Sequence, residues 1–368
     1  MHDSTLLPAS LYDQLRMRTP AIPVTLALIA ANALVFLLML AAGAGLWHSG
    51  NGIQLVWGAN FAPATQDGQW WRLGTALFLH FGLIHVLLNL WALWDGGQLA
   101  ERMFGHWRFA AIYFASGLCG NLLSLVVQGN EAVSGGASGA IFGIYGALLV
   151  YLWRERSGMD PGEFRFLFRA GSAFTIASIA FGLFVPGIDN SAHIGGLLTG
   201  ILAGTALGEA AWPRWIKIAA SVSLVLAVGL LLLKLPEPAY RWSEEIAARA
   251  EINAFMAREN RIQARLKDIL RQGNKAASFE ELAERIEFEI TEPYEQSFER
   301  LSQLPLDNAA PSAAQIESLR AYSEQRREAS QALADELRAR GRFGAAAATS
   351  RALPRFAKPE SANEASEK

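Results

Sequence analysis

A serine set among small residues, Gly136-Ala137-Ser138-Gly139, follows the polar stretch 128–134 and stands where an apolar segment begins. A serine hydroxyl is a weak nucleophile until a positioned base takes its proton and donors hold the developing oxyanion. A helix start supplies unpaired N–H groups and the positive end of the helix dipole. On its own the motif more often marks a helix cap or a close-packing site. A base is available in His193, which opens another apolar segment. Ionisable groups in such segments are costly and face a cavity or a partner, and neutral imidazole accepts a serine proton near physiological pH. A third group is His80, His85 and Asn89, in which His85 and Asn89 are four residues apart and share one helix face. They can serve as donors to the same site. The competing chemistry is a metal held by His80, His85 and His193, but these segments offer no carboxylate or fourth ligand. No cofactor or metal is expected.

These residues need elements that bring them to one depth. Apolar runs long enough to cross a hydrocarbon layer of ~30 Å fall near 22–45, 81–99, 108–128, 138–153, 165–185, 193–210 and 214–234. The alternation of crossings puts the starts of the second, fourth and sixth spans on one side of the membrane, so His85, Asn89, Ser138 and His193 can be neighbours. Gly196, Gly200, Gly204 and Gly208 recur every fourth residue after His193, and Gly139 and Gly143 do so after Ser138. Small residues at this spacing let helix backbones approach closely in lipid.

Orientation follows from the basic residues of the short loops. Ten of them, Arg16, Arg18, Arg102, Arg108, Arg154, Arg156, Arg165, Arg169, Arg214 and Lys217, lie in one set of loops, against Arg72 and Lys234 in the other. The N-terminus is therefore expected in the cytoplasm and the chain after the seventh span outside it, in a multi-pass protein of a bacterial inner membrane. Of the 66 Asp, Glu, Lys and Arg residues, 42 lie beyond Tyr240. That region is built for water and the preceding one for lipid. The first apolar stretch is too long for a signal-peptide core and reads as a retained span. A net charge of −2 suggests no nucleic-acid partner, and the single Cys119 excludes an intramolecular disulfide.

The expected fold is all-α: a polytopic membrane helical bundle with a C-terminal soluble helical region. Its divisions are a cytoplasmic segment 1–21, a six-helix core 22–210, a seventh span 211–235, an extracytoplasmic helical region 236–344 and a disordered tail 345–368. The Trp-rich connection from about 46 to 79 is expected at the membrane interface. The C-terminal helices carry no metal cluster, phosphate loop or nucleophile motif, so they are assigned an interaction or structural role, with a periplasmic protein as partner.

In order and spacing these motifs resemble the rhomboid family of intramembrane serine proteases, over about residues 20–210. The resemblance is carried by Trp71-Arg72, His80 through His85 to Asn89, Glu101-Arg102 with Gly105, Gly136-Ala137-Ser138-Gly139 and His193-Ile194-Gly195-Gly196. It implies a six-helix core with one helix added. It further implies that Ser138 attacks the scissile carbonyl of a single-span membrane protein within the bilayer. His193 then acts as general base and afterwards as acid, in a dyad without a third carboxylate, and Asp189 is not promoted to that role. His85 and Asn89 correspond to oxyanion-stabilising side chains, joined by the backbone N–H of Ser138, and Gly136 to the first glycine of the motif. Trp71-Arg72 and Glu101-Arg102 correspond to structural positions. One departure is Phe142, where members often carry Tyr. The resemblance also suggests the fifth span as a lateral gate. The alternative function is a non-proteolytic membrane-protein binding or quality-control factor on the same fold; such relatives typically lack the serine or the histidine, and both are present here. A transporter is disfavoured because the spans show no evident inverted repeat.

Overall fold

The computed structural model describes residues 10–209, 212–272 and 278–342, and divides the chain into two compact units, 1–238 and 239–368. The tail expected to be disordered, 345–368, lies outside the described residues. The described residues are helical, with a single isolated bridge between Asn60 and Ser134 and no strand.

The first unit opens with the short helix α1 (Leu11–Arg18), whose N-terminus is capped by Ser10 accepting from the Asp13 amide. Seven long helices follow where the apolar runs predict them: α2 (Pro23–Ala41), α6 (Leu83–Phe104), α7 (His106–Gln128), α8 (Ser138–Glu155), α9 (Pro161–Phe184), α10 (Asn190–Leu207) and α11 (Arg214–Leu233). Among the described residues, four of them (α2, α7, α9 and α11) are long and apolar enough to cross a membrane by themselves. The bent pair of Arg72–Phe78 with α6 makes a fifth. Helices α8 and α10 do not meet that measure. Glycine and hydroxyl side chains lower their apolarity, and both lie largely buried among their neighbours. The chain is an integral membrane protein in which α8 and α10 are sheltered by their neighbours.

The shelter is a three-helix seam of α7, α8 and α10. A Cβ on Gly196 would overlap the carbonyl oxygen of Gly139, and one on Gly200 the carbonyl oxygen of Gly143. Gly143 has no room for a methyl beside Ser116 of α7, nor has Gly120 of α7 beside the Ala192 carbonyl. Helix backbones therefore touch, as dispersion-driven association in lipid requires. Gly208, the last of the fourfold series, lies at the C-cap of α10 instead.

The Trp-rich connection folds into α3 (Asn51–Trp57), α4 (Ala62–Gln66) and α5 (Arg72–Thr75). Arg72 is buried and ties this region together. Its Nη1 donates to the carbonyls of Leu55 (2.8 Å) and Ala59 (3.0 Å), its Nε donates to Gln69 (2.7 Å), and its guanidinium lies over Trp71. Glu101, also fully buried, accepts from the Val24 and Thr25 amides and the Thr25 hydroxyl at 2.7–3.0 Å. It thereby satisfies N–H groups that the first turn of α2 leaves without a helical partner. Arg72 and Glu101 thus each tie separate segments of the first unit together.

The second unit contains α12 (Trp242–Gln272), α13 (Phe279–Ile286), α14 (Glu292–Ser302) and α15 (Ala313–Arg342). One apolar cluster is built on Ile269, Ile286, Ile290 and Tyr294, another on Ile252, Phe255, Leu301 and Leu319. A π turn, Glu287–Thr291, joins α13 to α14. Pro293 follows immediately, and its missing N–H and bulky ring make a regular α-helical junction unfavourable there.

Candidate active site

Ser138 is the first residue of α8 and His193 lies in the first turn of α10. The glycine seam sets these two helix starts side by side, and the Ser138 hydroxyl stands 2.9 Å from His193 Nε2. On the far side of the imidazole, Nδ1 lies 3.3 Å from the Asn190 side-chain oxygen. Phe142, one turn below Ser138, stacks on the imidazole with ring centroids 4.3 Å apart and planes within 7°. The phenyl ring thus holds the histidine plane at the position where a Tyr hydroxyl is absent. His193 itself is buried, whereas Ser138 is partly exposed.

Donors surround the serine. The first N–H groups of α8 have no intrahelical acceptor and point along the positive end of its dipole. Gly136 has φ +147°, in the region that favours glycine, and a Cβ there would meet His85 Cε1 and Nε2 at 3.0 Å and Ser138 Oγ at 3.6 Å. Glycine is needed twice over, for conformation and for space, and the His85 ring edge packs against it. The Phe81 amide donates to His85 Nδ1 at 3.4 Å. With Nδ1 accepting, the proton of neutral His85 sits on Nε2, the ring atom that flanks Gly136. His80 packs edge-on against His85 at 5.0 Å. Asn89 lies one turn further along α6 and uses one amide N–H on the His85 carbonyl at 2.9 Å. Ser138, His193, His85 and Gly136 are therefore brought together directly, while the hydrogen bond Asn89 makes runs back along its own helix. Among the described residues no three His, Cys, Asp or Glu converge as a metal site would need.

Asp189 does not reach the imidazole. Its carboxylate accepts from Ser124 (2.5 Å) in α7, from Ser134 (2.7 Å) before α8, from Ser191, and from the Ala192 amide (3.1 Å). It caps α10 and ties that helix to α7 and to the segment leading into the serine motif. The Ser134 backbone pairs in turn with Asn60, whose side chain donates to the Asn121 carbonyl at 2.9 Å. The residues not singled out from sequence are Asn190 and the partners of Asp189, namely Ser124, Ser134 and Ser191. The one signal for Asn190 is its position three residues before His193, on the same face of the helix.

A serine hydroxyl within hydrogen-bond distance of a buried imidazole, at the starts of two sheltered helices, defines the class: a polytopic helical membrane protein with a serine–histidine site. Residues 67–210, which hold that site, match the Rhomboid domain family. Rhomboid protease GluP of Bacillus subtilis is 38% identical over 203 residues, 54% of this chain and 38% of that protein. Rhomboid-like protease 1 of Toxoplasma gondii is 32% identical over 182 residues, 46% of this chain and 60% of that protein. Rhomboid-type serine protease 2 of Emericella nidulans is 36% identical over 139 residues, 37% of this chain and 26% of that protein. The chain thus spans less than two thirds of the length of each of these relatives. Residues 67–210 are thus a domain of the rhomboid family.

Proposed function

We propose that the chain is an intramembrane serine endopeptidase that cleaves transmembrane segments near the extracytoplasmic boundary of the bilayer. The observation that carries this reading is the 2.9 Å contact between Ser138 Oγ and His193 Nε2. That distance suits proton transfer from a nucleophile to its base. The hydroxyl attacks the scissile carbonyl while His193 takes its proton. The oxyanion forms against the free N–H groups at the start of α8 and the Nε2–H of His85, with Asn89 below it. His193 returns the proton to the leaving amine, and water then releases the acyl group by the reverse sequence. No third carboxylate enters, because the oxygens of Asp189 are committed to serine hydroxyls and a backbone amide.

The excess of arginine and lysine at one set of loops supports a cytoplasmic N-terminus and a site opening outward in a bacterial inner membrane. Residues 22–210 then form the protease core, 211–235 the added span, and 236–344 an extracytoplasmic helical region that binds a periplasmic protein. The substrates are single-span membrane proteins, and α9 is the lateral gate. It reaches the site through Ile179 and Phe174, and among its residues only Thr175 is buried. The test is cleavage of a reporter protein with one transmembrane segment by the purified, reconstituted chain. One discrete cut is expected, lost in Ser138→Ala with the helix content unchanged. Full cleavage by that variant rejects the nucleophile.

A further inference from the structure

The amide of Asn190 is held by two different helices. Its Nδ2 donates to the main-chain carbonyl of Ile179 in α9 at 3.0 Å, and its Oδ1 faces His193 Nδ1 at 3.3 Å. A main-chain carbonyl can only accept, which fixes which end of the amide is which. The oxygen therefore faces the imidazole, and a neutral His193 must carry its hydrogen on Nδ1. Nε2 is left with the lone pair, directed at the Ser138 hydroxyl. The tautomer a general base needs is thus set by an amide whose other end is held by α9.

The fit is specific on the α9 side. A Cβ on Gly182 would overlap Asn190 Oδ1, and would stand 2.9 Å from Asn190 Cγ and 2.8 Å from Ile188 Cγ2. Gly182 therefore opens the space in which the amide sits. Another α9 residue that packs near the site is Phe174, stacked on Tyr145 at 4.3 Å and meeting Phe142 and Trp91 at 6.1 Å. Moving α9 outward separates these rings and breaks the Ile179 hydrogen bond together.

We propose that Asn190 is a positioning residue that couples the seating of α9 to the tautomer and orientation of His193. The proposal rests on the protease reading of this site and adds to it: the base is fully set only while α9 is seated. A substrate segment that displaces α9 loosens the base, and reseating restores it.

The experiment compares the parent chain with Asn190→Ala, Asn190→Asp and Gly182→Ala, all full-length and reconstituted. The readouts are the 15N spectrum of the six histidines, hydrogen exchange of the α9 amides, and steady-state cleavage. In the parent His193 is expected as the Nδ1–H form. Asn190→Ala and Gly182→Ala are expected to populate the other tautomer and to lower kcat about tenfold with KM within about twofold, a part of the ~10²–10⁴ that a general base supplies. Asn190→Asp keeps an acceptor for Nδ1–H, so it retains that tautomer and most of kcat. Exchange near residues 179–184 rises in Asn190→Ala and Asn190→Asp alike, because both lose the bond to Ile179. Unchanged tautomer and exchange in Asn190→Ala overturn the coupling, and so does an Asn190→Asp chain that loses the tautomer as fully as the alanine variant. Failure of the protease reading is distinguishable: the parent then turns over no substrate while tautomer and exchange still respond together.

Discussion

Adding one methyl group at Gly196 separates what holds the serine and the base together from what merely stabilises the bundle. In Gly196→Ala the new Cβ would lie 2.7 Å from the Gly139 carbonyl carbon and closer still to its oxygen. Neighbours of this kind are backbone and cannot swing aside. Restoring an ordinary carbon–carbon separation of about 3.5–4.0 Å requires α10 to withdraw from α8 by roughly 1 Å. The same withdrawal acts on the 2.9 Å contact of Ser138 with His193, which then exceeds hydrogen-bond reach. A misplacement of this size costs about 10²-fold in rate, and overpacking a close-packed seam costs ~1–3 kcal/mol. Gly204→Ala meets Ala147 Cβ at 2.8 Å, eleven residues and roughly 16 Å along the helix from His193 at ~1.5 Å per residue. It should lower the unfolding temperature similarly but spare much more activity. Gly229→Ala, with nothing within 4 Å of the added carbon, serves as the control. The assay is kcat/KM on a transmembrane reporter beside thermal unfolding in the same detergent. Parental activity in Gly196→Ala, or equal losses of activity in Gly196→Ala and Gly204→Ala, refutes the reasoning.

Three further outcomes follow from single contacts. His85→Ala removes the side-chain donor that flanks Gly136 and should lower kcat by about 10²–10³-fold with little change in KM, as steady-state kinetics will read. Glu101→Gln puts an amide among donors that require an acceptor; a loss of about 3 kcal/mol is expected from the unfolding midpoint, while the oppositely placed Ser138 site keeps its geometry in the chains that remain folded. In the second unit, Arg338 and Gln331 hold the Glu287 carboxyl at about 2, below its ordinary value of 4.5. A depressed carboxyl stabilises the fold above its unfolded value, and that contribution fades as pH falls from 4.5 toward 2. Pepsin cleavage of the α13–α15 segment should therefore rise across this window, beginning at higher pH in Arg338→Gln; an identical onset in both chains would falsify the ion-pair assignment.

The seven long helices were legible because an apolar run of span length has few alternative fates, and their bounds agree with the runs to within a few residues. The depth shared by Ser138, His193 and His85 was legible too, because alternating crossings fix which helix starts face the same side. Glycine spacing told more than it could prove. It marked Gly139, Gly143, Gly196 and Gly200 as a seam, but included Gly208, which lies at the helix end. The anchoring partners of Asp189 and the role of Asn190 were beyond sequence reasoning, because Ser124, Ser134 and the Ile179 carbonyl lie far away in the chain, and any residue offers a carbonyl. The orientation of Asn89 was hidden similarly, since an amide that bonds back to its own turn has the same sequence signature as one facing a substrate. The π turn before Pro293 was not legible, because one widened turn leaves the helical periodicity on either side of it intact.

The most direct measurement of the central claim is covalent labelling by a fluorophosphonate in native membranes, with the modified residue located by mass spectrometry. Such a probe needs an activated hydroxyl and no gating by a large substrate. Label on Ser138, falling by at least about 10²-fold in His193→Ala, is the expected result. An unlabelled Ser138 in the parent chain, or labelling that survives loss of His193 undiminished, contradicts the dyad.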